Sequence, residues 1–539
     1  MPPAGEDMAE QRLLGRSAAP GLARGVVSVL EAARPADRAV GSPDEERVAL
    51  RDAIAKALGE LEVLAAQATG DAADMLRFQV AMLADDELSL TAFSAIASGV
   101  PAFPAWEGAM ADEIADYAAS SDAAFAARTA DLKDIRDRVL AHLAPSAAGM
   151  DTPVGAVVAA SDIPLSKFLA IDWMRGGAIV LTAGSPASHV AMLARARGVP
   201  MVVGVGGAAQ ALAGREALID AASGEVVLDP DEPTRLAFAA RLVQSSAEQM
   251  QAAGFRFAPA VTADGTRIAL HLNISDVAEL EALDPAICDG IGLVRTELLF
   301  HGPGGLPGED IQYAAYRRIA EWAGERPAVI RTLDAGGDKP IPGVTPDGES
   351  NPFLGLRGLR LSLRSPELFC TQLRALARAA VHGNLRVMLP MVTIPEELAA
   401  SRLLLDETMA SLARDGAPAR RPLLGIMIEV PAAAIVVDRF DADFFSIGSN
   451  DLTQYVTAAG RDIGSVADLA DPLNPAVLRL IATVAQHGRA AGRDVSLCGD
   501  AGAEPRCVEA LLRAGLRSLS VAPEAVGRAK QAIAMVDLR

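Results

Sequence analysis

The sequence predicts a multidomain α/β protein made of a helical region, a compact α/β unit and a (β/α)8 barrel. Three observations carry that expectation. Roughly Asp44 to Leu143 reads as almost pure helix, with apolar residues at i, i+3 and i+4 spacing (Leu58, Leu61, Leu64; Leu76, Val80, Leu83) and few β-branched runs. Gly155 to Val227 alternates short apolar strands with turns. From about Ala269 onward, eight strand-like runs alternate with helical segments over roughly 250 residues, the size of a (β/α)8 barrel. A chain of 539 residues is in any case too long for one domain.

Taken in order, Leu13 to about Leu30 is strand-like and punctuated by Gly and Ala, and the helical stretch follows. The α/β unit offers strands at Ala156–Ala159, Ala178–Leu181, Met201–Gly204, Glu216–Asp220 and Gly224–Val227. Asp229-Pro230-Asp231-Glu232-Pro233 then breaks the pattern and starts a linker helix from Thr234 to about Ala252. The barrel strands are expected at Ala269–Asn273, Ile291–Arg295, Ala328–Arg331, Arg386–Pro390, Leu424–Glu429, Phe444–Gly448, Val495–Cys498 and Ser518–Val521.

Composition excludes several classes. Apolar residues make up 51% of the chain, yet no uninterrupted run approaches the ~20 needed to span a bilayer, so no membrane insertion is expected. The first residues, Met1 to Asp7, are acidic and carry no apolar core, unlike a secretory signal. Four widely spaced cysteines (Cys288, Cys370, Cys498, Cys507) form no CxxC pair, which points to a reduced, cytoplasmic protein without structural zinc. A net charge of −20 repels nucleic acid. An anionic substrate must then be gripped by local arginines, and a large partner should be basic.

One short stretch carries chemistry. The apolar run Gly177–Leu181 enters a Gly/Ser/Pro loop, and an amphipathic helix pattern leaves it through Val190, Leu193 and Ala194. His189 therefore falls at a helix N-terminus behind Ser188 as N-cap. Free backbone N–H groups and the positive end of the helix dipole favour a doubly negative group there, so His189 reads as a phosphate-carrying nucleophile. A histidine that merely closes a βα loop is the alternative.

The context Ser188-His189-x-Ala191-Met192-Leu193-Ala194-Arg195-x-x-Gly198-Val199-Pro200-x-Val202-Val203-Gly204 resembles the phosphohistidine domain shared by enzyme I of the phosphoenolpyruvate:sugar phosphotransferase system, phosphoenolpyruvate synthase and pyruvate phosphate dikinase. The resemblance to enzyme I extends through Asp289–Glu297, Arg331–Lys339, Asn351–Arg357, Glu429–Ala434, Phe444–Tyr455 and Cys498-Gly499-Asp500. It implies a helical carrier-docking domain inserted into an α/β phosphohistidine domain, followed by a (β/α)8 barrel. The implied boundaries are 1–30 for the first strands of the phosphohistidine domain, 31–148 for the helical domain, 149–230 for the swivelling phosphohistidine domain, 231–260 for the linker helix and 261–539 for the phosphoenolpyruvate-binding barrel.

Functional side-chain types recur at the carboxyl ends of the barrel strands, where such barrels build active sites. By resemblance, Arg295, Arg331 and Arg461 bind phosphoenolpyruvate, Asn450 and Asp451 contact it, and Lys339 and Glu297 line the site. Glu429 and Asp451 are oxygen donors suited to Mg2+. Cys498 is implied to protonate the departing enolate, as a thiol that is mostly protonated near neutral pH can do. His189 would pass its phosphate to a histidine of a small phosphocarrier protein docked near Met82, Leu83, Asp85 and Glu87, and similar enzymes dimerise through the barrel. Rival readings are a phosphorylation-silent scaffold, a regulatory enzyme I and a dikinase, although the helical insertion leaves no room for a dikinase's ATP-binding domain.

Overall fold

The computed structural model describes residues 10–30, 40–67, 70–119, 129–144, 153–184, 186, 188–299, 306–337, 341, 343–346, 349–460, 466 and 469–539. It divides into two units, 1–246 and 247–539.

In the first unit the strong helix formers fold as helices α1 (Pro43–Gln67), α2 (Gly70–Leu83), α3 (Asp86–Ala97), α4 (Ala102–Ala119) and α5 (Thr129–Leu143). Their apolar stripes converge on Leu50, Leu61, Leu76, Ile96, Trp106, Met110, Leu132 and Ile135. Trp106 is completely buried and satisfies its indole by donating Nε1–H to the Arg136 carbonyl at 3.3 Å. The buried Glu46 carboxylate accepts from the Ala102 N–H at 2.8 Å and so caps the start of α4.

One expectation for this bundle needs correction. Leu83 is only 4% exposed and belongs to the core, so the expected docking surface keeps Asp85 and Glu87 but loses Leu83. The carboxylates Asp131 and Asp134 do not form a solvated acidic face. Gln79 Nε2 donates to Asp131 Oδ1 at 2.9 Å and to Asp134 Oδ2 at 3.4 Å, and Ser166 Oγ donates to Asp134 Oδ1 at 2.5 Å. Burial pushes the Asp134 carboxyl above its ordinary range, and Ser166 with Arg138 holds it back.

Strands β1 (Gln11–Leu14), β2 (Arg16–Ala19) and β3 (Leu22–Val29) precede the helices, and β4 (Val157–Ala160), β5 (Ala178–Leu181), β6 (Met201–Val203), β7 (Glu216–Asp220) and β8 (Glu225–Leu228) follow them. All eight form one sheet in the order β1-β8-β7-β3-β4-β5-β6-β2. Because β3 pairs with β7 on one side and runs parallel to β4 on the other (Val27 opposite Val157), the helical region is an insertion between two neighbouring strands. Short helices α6 (Leu165–Ala170) and α7 (His189–Ala196) follow β4 and β5. The long helix α8 (Glu232–Phe255) then carries the chain into the second unit.

There the eight expected strands appear in order as β9 (Ala269–Ile274), β10 (Ile291–Arg295), β11 (Pro327–Arg331), β12 (Asn384–Leu389), β13 (Leu423–Ile428), β14 (Phe444–Ile447), β15 (Asp494–Leu497) and β16 (Ser518–Val521). Every neighbouring pair is parallel, and the sheet closes through β16 and β9. Period-two alternation sorts the side chains: Leu270, Leu272, Phe445 and Ile447 face the helices outside, while Met388, Met427 and Phe444 fill the lumen. Principal outer helices are α9 (Glu309–Ala323), α10 (Pro366–Ala379), α11 (Pro395–Arg414), α12 (Ser449–Thr457), α13 (Pro475–Ala491), α14 (Pro505–Arg513) and α15 (Val526–Ala534). Glu429 and Cys498, expected as the last residues of their strands, lie one residue past them, where the barrel opens.

Candidate active site

The first candidate group lies on the loop between β5 and α7. Ser188 has an extended backbone (φ −65°, ψ 154°) and its Oγ accepts from the Ala191 N–H at 3.2 Å, so it is the N-cap of the helix that His189 opens. Two arginines pin the loop: Arg16 donates to the Gly184 carbonyl at 3.1 Å and Arg195 to the Pro186 carbonyl at 3.0 Å. Ser185, Ala187 and the His189 side chain lie outside the described residues.

The second group assembles at the carboxyl ends of the barrel strands. Arg295 and Arg331 are register partners at the ends of β10 and β11. Arg331 is buried and pairs with Glu297 and, at 3.2 Å, with Asp334 Oδ2. Burial opposes its charge, but Glu297, Asp334 and Glu429 outweigh that and hold it firmly protonated. Behind it, Thr296 Oγ1 donates to the Arg331 carbonyl at 3.0 Å, and Gln372 bonds Thr296 and the Leu333 N–H. The strand end is thereby fixed against the outer layer.

Glu429, just past β13, is 1% exposed and accepts the Met391 N–H at 2.6 Å. Met391 adopts the left-handed conformation (φ 56°), a strained choice for a side-chain-bearing residue, and its amide is the one that meets this carboxylate. Burial first, then the nearby Asp451 and Asp334, push the Glu429 carboxyl well above its ordinary range, partly offset by Arg331. Asp451 at the start of α12 accepts from Arg357 on Oδ2 at 3.4 Å, and its buried Oδ1 has no hydrogen-bond partner among the described residues. A cluster of carboxylates with an unpartnered buried oxygen fits a hard divalent cation. Among the described residues no group of three or more His, Cys, Asp or Glu converges as a metal cage, and the donors at hand are the two carboxylates Glu429 and Asp451.

Cys498 follows β15, donates its thiol to the Ile447 carbonyl at 3.7 Å and is 2% exposed. Burial pushes the thiol up, against the pull of Ser446 and Arg331, so the sulfur keeps its proton at neutral pH. Asn450 faces Asp500, donating Nδ2 to its Oδ2 at 2.9 Å and accepting its N–H at 3.1 Å. The two loops touch closely enough that a Cβ on Gly499 would collide with Ser449 Oγ.

The structure thus brings Arg295, Arg331, Glu429, Asp451 and Cys498 into one electrostatic neighbourhood. Arg461 and Lys339 lie outside the described residues. Sequence reasoning missed Arg357 as a site residue. Its guanidinium is completely buried, donating to Asp334 Oδ2 at 2.9 Å, Asp334 Oδ1 at 3.4 Å, Asp451 Oδ2 at 3.4 Å and Tyr455 OH at 3.3 Å. The available signal was its place at the end of the Asn351–Arg357 motif.

Comparison with known proteins bears on the whole chain. Residues 14–128 match the N-terminal domain, 152–224 the mobile domain and 249–538 the PEP-binding domain of the PEP-utilising enzymes. A phosphoenolpyruvate-protein phosphotransferase of Enterococcus faecalis is 34% identical, over 92% of this chain and 89% of its own length. One from Haloferax volcanii is 39% identical over 85% of this chain and 81% of its own, and one from Lactococcus lactis subsp. lactis is 38% identical over 76% and 73%.

Proposed function

Because this chain belongs to the phosphoenolpyruvate-protein phosphotransferases of the PEP-utilising enzyme family, we propose that it moves the phosphoryl group of phosphoenolpyruvate (PEP) to its own His189 and then to a histidine of a small phosphocarrier protein, releasing pyruvate as the first step of sugar phosphotransfer. The observation that carries the reading is the barrel mouth, where the strand ends of Arg295 and Arg331 pair and Arg331 lies among the buried carboxylates Glu297, Asp334 and Glu429 beside the Cys498 thiol.

PEP carries a carboxylate and a phosphate, and the paired strand ends of Arg295 and Arg331 supply guanidinium forks matched to such groups. Arg461 joins them on the family resemblance alone, and Asn450 offers an amide held by Asp500. Glu429 and Asp451 would hold Mg2+, which when bound neutralises phosphate charge and polarises the ester oxygen. Neutral His189 attacks phosphorus in line, a new P–N bond replacing the P–O bond to the enolate. Cys498 gives its proton to the enolate carbon and pyruvate leaves. The helix N-terminus of α7 stabilises the phosphate that stays behind.

One histidine serving both the barrel and a carrier docked on the helical region requires the segment 149–230 to swing between the two, with α8 as its lever. Asp85 and Glu87, exposed at the start of α3, are the acidic contribution to a basic carrier surface. The four cysteines are free thiols, consistent with work in the cytoplasm, and no described helix is long and apolar enough to cross a membrane. Pairing of two barrels is assigned on family likeness alone.

Incubation with labelled PEP, Mg2+ and a histidine-containing carrier tests the reading. Label is expected on both proteins with stoichiometric pyruvate. A chain that binds the carrier yet gains no label is a scaffold, and pyruvate turnover that requires adenine nucleotide belongs to a dikinase; either outcome overturns the proposal.

A further inference from the structure

Around the candidate acid the barrel lumen holds an apolar cluster, with Leu293, Val329, Met388, Met427 and Phe444 packed about Cys498. Ser446 on β14 and Ser496 on β15 interrupt it. They are register partners, and both point inward because Phe445 and Ile447 take the outward positions of β14. Ser446 is completely buried. A hydroxyl in such surroundings is costly unless it is bonded, and an alanine would fill the position without that cost. The Ser446 oxygen accepts from Ser496 Oγ at 3.2 Å, and its side chain hydrogen-bonds the Cys498 thiol, whose own proton goes to the Ile447 carbonyl at 3.7 Å.

The direction of this chain matters. With Ser496 donating into the Ser446 oxygen, the Ser446 proton is left for the sulfur. Cys498 is gripped at its backbone as well, where its carbonyl accepts from Asn273 Nδ2 at 3.1 Å while Ser520 Oγ donates to Asn273 Oδ1 at 2.7 Å. Among the described residues, Arg331, Glu429 and Arg295 are the charged groups whose fields act on the same sulfur.

We propose that Ser446, its hydroxyl oriented by Ser496, is a positioning residue that aims the Cys498 thiol and accommodates the sulfur's charge once the proton has left. The inference rests on the reading of Cys498 as the acid. In the step itself the S–H bond breaks with its electron pair remaining on sulfur. The enolate π pair forms the new C–H bond at the methylene carbon, and the enolate oxygen becomes the ketone carbonyl of pyruvate. The Ser446 O–H then donates to the thiolate, which regains a proton from water before the next turnover.

The test is a double-mutant cycle on pyruvate formation with PEP, Mg2+ and carrier, using Ser446→Ala, Cys498→Ala and the pair. Ser446→Ala is expected to lower kcat about 10-fold to 100-fold with KM for PEP unchanged, the loss of a hydrogen bond to a charged sulfur. In the Cys498→Ala background the same change should cost nothing further. Equal losses in both backgrounds, a rise in KM alone, or an unchanged kcat would overturn the proposal. Should Ser446→Ala fold poorly, Ser496→Ala leaves Ser446 in place and should lower kcat several-fold in the Cys498 protein only. Wild-type turnover by Cys498→Ala would overturn the acid reading together with this one, and that outcome is distinct from a failure confined to Ser446.

Discussion

Replacing Arg357 by alanine removes the one guanidinium that bonds both oxygens of Asp334 and also reaches Asp451. Both carboxylates are buried, and although Asp334 keeps Arg331, the loss removes half of the positive charge that meets them where water cannot screen the rest. Breaking a buried ion pair from one side costs ~3–5 kcal/mol. For a domain of the barrel's size each kcal/mol lowers Tm by roughly 2–4 °C, which gives a fall of roughly 6–20 °C in the barrel's unfolding transition. The same energy in a site that must hold a doubly charged substrate corresponds to a loss of roughly 10^2 to 10^4 in kcat/KM. Differential scanning calorimetry and a coupled pyruvate assay read the two quantities. Arg357→Lys keeps the charge but not the fork, and it should recover only part of each. Asp334→Ala combined with Arg357→Ala should cost less than the sum of the single changes, because each single variant leaves a buried charge with one partner fewer, Asp334 keeping Arg331 and Arg357 keeping Asp451, whereas the double variant removes both members of the pair. A Tm within about 2 °C of wild type for Arg357→Ala would refute the reasoning, since no buried pair of this kind is that cheap to break.

Three further outcomes follow from the same geometry. Ser188→Ala removes the N-cap of α7 and should cost about 1 kcal/mol of local helix stability, seen as faster amide exchange at Ala191 and Met192 and slower phosphorylation of His189. Gly499→Ala would force a Cβ into Ser449 Oγ and within 3.0 Å of Asn450 Oδ1, so PEP turnover should fall at least tenfold while the chain still folds. Glu279, in a capping box with Asp276, is pushed up to about 6 by burial and by the neighbouring carboxylates Asp276 and Glu524, against the pull of the Asp276 and Ser275 N–H groups. Its folded pKa exceeds its unfolded one, so the folded state holds the extra proton and stability from this group falls as pH rises from about 4.5 to 6. Glu279→Gln should therefore raise barrel stability at pH 7.5 by up to ~2 kcal/mol and leave it unchanged at pH 4.

The barrel was legible because its signal is local. Each strand is a short run of apolar residues bounded by turn residues, and period-two alternation decides which of them face the helices. The helical insertion was equally readable from spacing at Leu58, Leu61 and Leu64. Burial of polar groups was not legible, because it depends on which distant elements meet. Asp131 and Asp134 look like ordinary charges on a solvated helix face until Gln79 and Ser166 close over them from other helices. Arg357 looks like one basic residue among several, and its role arises only when its loop folds between Asp334 and Asp451, 23 and 94 residues away in sequence. Met391 carries no chemical signal at all, since its contribution is a backbone N–H aimed by a left-handed turn.

Everything rests on His189 as the group that accepts the phosphoryl unit, and mapping the label tests this most directly. Wild-type protein and His189→Ala are each mixed with 32P-labelled PEP and Mg2+ without carrier, quenched in base and digested for peptide sequencing. Acid-labile, base-stable label on the His189 peptide of the wild type, and none on the variant, is the predicted result. Label that persists in His189→Ala, or a wild type that converts PEP to pyruvate while no label reaches that peptide, would contradict it.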